Sequence, residues 1–218
     1  MSDLHQQEKH PFLDFAKKNQ KLLTTSLVVV VIVLAGYFGY SELYQKPREA
    51  KAADALFTAE RYFALDSSNL VLNGDGASKG VLYVINEFSG THAANLAKYY
   101  AGVSYFRTGD YNKSIDYLQQ FSTNAKQVQA IAYGTIGDAY SELKKNEEAV
   151  GAYKKAGTYF PEDESISSEY LYRAAALLEL TGKNDEALAI YKDIKAKYPK
   201  SEKGFNADKY IYRLQVQP

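Results

Sequence analysis

Apolar residues recur along this chain at three- and four-residue intervals, interrupted by short polar stretches holding Gly, Asp or Pro, and that rhythm predicts helices. The clearest window carries Tyr133, Ile136, Gly137 and Tyr140 on one predicted helix and Ala149, Tyr153 and Ala156 on the next, with Pro161 ending the second. Small Gly137 and Ala149 let the two helices approach, while Tyr140 and Tyr153 fill the space beside them. The same frame returns upstream in Ala101, Gly102, Tyr105, Gly109, Tyr111, Ser114, Leu118 and Phe121, where Gly102 stands 35 residues before Gly137. It returns downstream in Leu171, Ala174, Ala175, Leu178, Gly182, Ala187, Tyr191, Ile194 and Pro199, where Ala187 stands 38 residues after Ala149. The added length is expected in a loop over residues 162–167.

One helical hairpin cannot bury its apolar face alone, so the repetition predicts an all-α solenoid of stacked hairpins. Hairpins are expected at 95–128, 130–163 and 168–201. A polar-faced capping helix should follow at 202–215, begun by Ser201 and anchored by Phe205, Ile211 and Leu214. A divergent first hairpin is expected at 47–90. There Ala53, Leu56, Phe57, Phe63 and Ala64 keep helical spacing, a loop runs over 67–77, and Val81, Leu82, Val84 and Ile85 mark a second helix.

Ahead of the solenoid, which is expected to occupy 42–218, the pattern changes. No charged residue lies between Lys21 and Glu42, and the run 27–34 is entirely Leu, Val and Ile. About twenty such residues at about 1.5 Å each match a hydrocarbon core of about 30 Å, so 22–41 is expected to be a transmembrane helix behind a short tail, 1–21. A strand would be far too long, and a cleavable signal would have a shorter apolar run with a small-x-small site close by. Lys17, Lys18 and Lys21 crowd the N-terminal flank, which predicts a cytoplasmic N-terminus. Tyr37, Phe38, Tyr40 and Tyr44 would then form an aromatic belt at the opposite interface.

Charge narrows the partners. The 26 basic and 26 acidic residues cancel, so no basic patch for nucleic acid is implied. Cysteine is absent, which excludes disulfides and thiol catalysis. The 20 tyrosines fall mostly on frame positions and read as packing. The imidazoles are His5, His10 and His92, two of them on the expected cytoplasmic tail, so no catalytic triad can form. His92 follows Thr91, an N-cap candidate, and reads as a first-turn surface residue. The Gly-rich stretch 73–80 fits neither a phosphate loop nor an EF-hand and reads as a turn. The pairs Glu147-Glu148 and Asp185-Glu186 begin helices, where negative charge is favoured. No enzyme, metal or cofactor is expected.

The window around Gly137 resembles the tetratricopeptide phrase W-x2-L-G-x2-Y, A-x3-F, P. The resemblance implies that the first helix of each hairpin lines a concave groove through its second, fifth, ninth and twelfth positions. On this chain those positions are Leu96, Tyr99, Val103 and Phe106, then Ile131, Gly134, Asp138 and Ser141, then Glu169, Tyr172, Ala176 and Glu179. Such a groove would be apolar and aromatic at one end and acidic at the other, suited to an extended or amphipathic protein segment. The competing reading is that Tyr99 and Phe106 simply pack against the preceding hairpin. The Lys and Asn pattern of a carboxylate clamp is absent.

A short tail, one helix with its N-terminus inside and an outward repeat domain together resemble YfgM-like proteins. The runs 95–102, 132–140 and 198–201 before Lys209-Tyr210 are also similar to tetratricopeptide proteins common in Bacteroidota. The resemblance implies a bacterial inner-membrane protein with a periplasmic domain, an ancillary, chaperone-like subunit of the SecYEG translocon beside a PpiD-type chaperone, receiving secretory polypeptides. A structural adaptor for another envelope complex is the alternative. A cytoplasmic-facing organelle receptor would need the inverted topology, which the flanking lysines oppose.

Overall fold

A computed structural model describes residues 15 and 17–216. His5, His10 and most of the expected tail lie outside the described residues. The chain divides into two units, Met1–Arg48 and Glu49–Pro218.

In the first unit, helix α1, Gln20–Tyr40, is 21 residues long and has no buried residue. At about 1.5 Å per residue it is about 31 Å long, long enough and apolar enough to cross a membrane. A π-helical turn, Ser41–Gln45, follows. Tyr40 and Tyr44 lie 5.3 Å apart, ring centre to ring centre, and Arg48 Nη1 donates to the Tyr44 hydroxyl at 2.7 Å.

The second unit is the expected all-α solenoid. Its helices are α2, Lys46–Ala64; α3, Ser68–Asn73; α4, Val81–Glu87; α5, His92–Arg107; α6, Tyr111–Gln119; α7, Lys126–Glu142; α8, Asn146–Tyr159; α9, Glu164–Leu180; α10, Asn184–Lys197; α11, Glu202–Phe205; and α12, Ala207–Gln215. Among the described residues no strand forms, and the one isolated bridge joins Gly74 and Lys79. The pairs α5–α6, α7–α8 and α9–α10 pack as hairpins, each second helix also touches the next first helix, and α5 touches α7 as α7 touches α9. Burial follows the frame: Ala132, Ile136, Ala139, Ala149, Tyr153 and Ala156 are all buried. Gly137 is required by this approach, because a Cβ there would come within 2.5 Å of the Tyr153 ring.

Caps fix the starts. Thr91 accepts from Ala94 N at 3.0 Å, Asp163 from Ile166 N at 3.0 Å and Ser201 from Gly204 N at 3.0 Å. Glu49 reinforces the start of α5 from another helix, accepting from His92 N at 2.8 Å and Ala93 N at 2.9 Å. Burial raises the Glu49 carboxyl, but these two N–H groups outweigh it and hold the group below its ordinary value. A depressed folded value means the stabilisation is full above about pH 4.3, the unfolded value, and fades as pH falls through the folded one. Glu49→Gln is therefore expected to cost about 1 kcal/mol at neutral pH, and less near pH 3. Urea unfolding at the two pH values checks this, and an equal cost at both would refute it.

Three details differ from the sequence expectation. Part of the expected loop 67–77 is helical, because Val71 and Leu72 of α3 are buried against the core of the first hairpin. Gly74 and Gly76, at φ 80° and 90°, then turn the chain towards α4. The loop placed at 162–167 ends at Asp163, whose cap starts α9 at once, and Ser167 is fully buried within that helix. The capping segment breaks at Asn206, so Ala207 and Leu214 face the core while Phe205 is 83% exposed. Its exposed side carries Phe205, Tyr212 and Val216 together with the charged Glu202, Asp208 and Arg213.

Candidate functional site: the face of the first helices

Helix α5 places Leu96, Tyr99, Val103 and Phe106 along one stripe, and all four are partly buried. Tyr99 is held by rings on three sides, with centres 5.3 Å from Phe121, 5.8 Å from Tyr100 and 6.4 Å from Phe63. Phe106 packs on Tyr111 at 5.6 Å. Arg107 lies over Phe63 at 4.7 Å and pairs with Asp66 at 2.8 Å. Burial raises the Tyr99 hydroxyl, and burial with Glu60 pushes that of Tyr100 up to about 12. These rings therefore serve the stack first.

On α7 and α9 the inward carboxylates are engaged. Asp138 accepts from the Tyr153 hydroxyl at 2.7 Å and from Arg173 Nη1 at 2.8 and 3.0 Å. Arg173 Nε donates to Glu169 at 2.9 Å, and Lys203 pairs with Glu169 at 3.3 Å while lying over the Tyr172 ring at 4.6 Å. Glu179 accepts from the Tyr191 hydroxyl at 3.1 Å and from Arg213 Nη2 at 2.7 Å. Burial would raise the Glu169 carboxyl, but Arg173 and Lys203 outweigh it and keep it below its ordinary value. Burial and then Asp138 raise the Tyr153 hydroxyl, with Arg173 and Ser141 opposing. Asp138, Glu169 and Glu179 are thus each paired with a cation, which offsets their charge at the end expected to be acidic.

The structure groups the expected residues in three sets. Leu96, Tyr99, Val103 and Phe106 share α5, Asp138 and Ser141 meet at Tyr153, and Tyr172 and Glu179 meet at Tyr191. Ala176 is partly buried on α9 between Tyr172 and Glu179. Gly134, an expected groove position, is covered, because the Tyr170 ring occupies the space a Cβ would need. Burial raises the Tyr170 hydroxyl to about 12, Arg173 opposing and Asp138, Tyr99 and Glu169 adding to it. Tyr170 therefore joins the faces of α7 and α9, and sequence reading passed it over. The signal was present in a Tyr standing one repeat after an inward Gly.

Among the described residues no group of three or more His, Cys, Asp or Glu is placed to hold a metal ion. What the face offers is the partly buried aromatic area of Tyr99, Phe106 and Tyr172.

The tetratricopeptide repeat family profiles match residues 96–126 and 169–201 with one and 130–163 with another. No curated protein matches the chain. Among solved structures, a crystal structure from Podosopora anserina of kinesin light chain nearly identical TPR-like repeats is similar in fold. Its TM-score is 0.56 at 12% identity, covering 76% of this chain and 86% of that one.

Proposed function

This chain carries tetratricopeptide repeats, which mark a protein–protein interaction scaffold, and from that premise we propose that it works as a membrane-tethered one. The observation that carries the reading is the conjunction of an unburied, membrane-length apolar helix with a binding solenoid in one chain. Tethering confines any encounter to one membrane face, so weak groove contacts suffice. With the N-terminal lysines inside, the solenoid is periplasmic on a bacterial inner membrane. In the finer form of the proposal it is an ancillary, chaperone-like subunit of the SecYEG translocon beside a PpiD-type chaperone, handling emerging secretory polypeptides. The concave face through Tyr99, Tyr172 and Ala176 takes the partner.

Purification of the tagged full chain in mild detergent is the test. Recovery of translocon subunits with a periplasmic chaperone is expected. Ala176→Glu, which puts a charge in the groove without truncating a packed ring, should lower that recovery about tenfold at unchanged helicity. Recovery of a different envelope complex would replace the translocon reading with the adaptor one, and undiminished recovery with Ala176→Glu would remove the groove from it.

A further inference from the structure

A cleft of about 390 Å³ lies among α4, the turn 89–91, the first half of α5 and Ser122. Ile85 and Ala94 supply apolar lining, Ser89, Lys98 and Ser122 supply polar lining, and no Asp or Glu lines it. Its other polar groups are already matched. Asn95 Nδ2 donates to Ser122 O at 2.7 Å and Asn95 Oδ1 accepts from Ser122 N at 3.3 Å, while Thr91 Oγ1 donates to Phe88 O at 2.8 Å and accepts from Ala94 N at 3.0 Å. The His92 ring meets Glu49 at 3.3 Å, and the same carboxylate accepts from His92 N and Ala93 N. Both the imidazole and the start of α5 therefore have their counter-group. Lys98 does not. Among the described residues three lysines are half-buried, Lys98, Lys154 and Lys203. Lys154 pairs with Glu186 at 3.7 Å and Lys203 with Glu169 at 3.3 Å, whereas Lys98 has no hydrogen-bond, ion-pair or ring partner among the described residues. Withdrawing an ammonium from water without a counter-charge is costly, and proteins seldom leave one so. The side-chain hydroxyls of Ser89 and Ser122 are likewise without a partner among the described residues.

One unmatched cation selects a ligand with one negative charge. A phosphate dianion would call for a second unmatched cation or an Arg fork, and no Arg lines the cleft. The two seryl hydroxyls add donors and acceptors for a neutral polar group, and the volume lies in the range of small-molecule sites. We propose that this cleft binds a small hydroxylated monocarboxylate, with its carboxylate on Lys98, its hydroxyl at Ser89 and Ser122, and a short apolar tail against Ile85 and Ala94. The site is separate from the protein-binding face, since none of Tyr99, Tyr172 and Ala176 lines it.

The probe is 2-hydroxyisocaproate, followed by ligand-observed saturation-transfer NMR on the full chain in nanodiscs. Saturable binding is expected. The primary amide of the same acid keeps the shape and loses the charge, and should bind about tenfold more weakly or worse. That comparison uses the wild-type chain alone and does not depend on how any variant folds. Lys98→Met, similar in length and uncharged, should weaken the acid by about the same factor, while Lys98→Arg should hold it within about threefold of wild type. Lys209→Met, at an exposed lysine of α12, should change nothing. Ser89→Ala with Ser122→Ala should weaken 2-hydroxyisocaproate but not isocaproate, which lacks the hydroxyl. Absence of binding, equal affinity for acid and amide, or a Lys98→Met chain that binds the acid as wild type does would each overturn the proposal. So would tighter binding of inorganic phosphate, or of acetyl-Ala-Asp-Ala-amide, which would give Lys98 to an acidic segment of a partner protein.

Discussion

Tyr191→Ala is expected to lower the unfolding free energy by about 3–5 kcal/mol, the range for deleting a buried aromatic ring. Tyr191 is fully buried, at 0% exposure, in the core that spans α8 to α12. Its ring centre lies 5.1 Å from that of Tyr210 and 6.0 Å from that of Tyr172, so truncation opens a cavity between a hairpin and the cap behind it. The hydroxyl adds less. Tyr191→Phe removes its bond to Glu179, which keeps Arg213 at 2.7 Å, so a cost of about 1–2 kcal/mol is expected. Urea unfolding of the full chain in mild detergent, followed by circular dichroism, measures both. Equal costs would mean that the ring's packing contributes nothing, contrary to this account. In a solenoid each hairpin is supported only by its neighbours, so the loss should appear first as unfolding of residues beyond α9.

The hairpins could be read in the sequence because stacked helices impose a local rule. Gly137, Ala149 and Tyr153 are constrained by close approach, and the constraint repeats about every 35 residues, visible as spacing. Helix α3 could not be read that way, since Leu70, Val71 and Leu72 make less than two turns and sit beside a Gly-rich stretch that dominates the local signal. The groove was half legible. Position counting found Asp138, Glu169 and Glu179, but one helix considered alone says nothing of what reaches it from the next hairpin. Arg173 stands 35 residues after Asp138 and Arg213 stands 34 after Glu179, one repeat in each case. Lys183 pairs with Glu147 across 36 residues by the same logic. Opposite charges offset by one repeat are thus a readable sign of stacking, and an inward carboxylate that has such a partner should not be counted as ligand-binding charge.

Val30→Arg with Ile32→Arg is expected to release the chain from the membrane while leaving the solenoid folded. On the insertion scale each Arg near the centre of a spanning helix costs about 2.5–3.5 kcal/mol, and the Val and Ile lost at the same positions each contributed a few tenths in the other direction. The pair together should cost about 5–8 kcal/mol, too much for the remaining apolar residues of α1 to offset comfortably. No solenoid core residue is touched, because both positions lie in Met1–Arg48 and α1 buries nothing. Far-UV circular dichroism should therefore still report a helical protein. Carbonate extraction decides the matter: wild type in the pellet and the double variant in the supernatant is the expected result. If the variant stays in the pellet, something other than α1 holds the chain to the membrane. The same pair also separates tethering from recognition. If anchoring matters through local concentration alone, the released variant should still bind the isolated partner with unchanged affinity, and its recovery with that partner from cells should fall because the two no longer meet at one face.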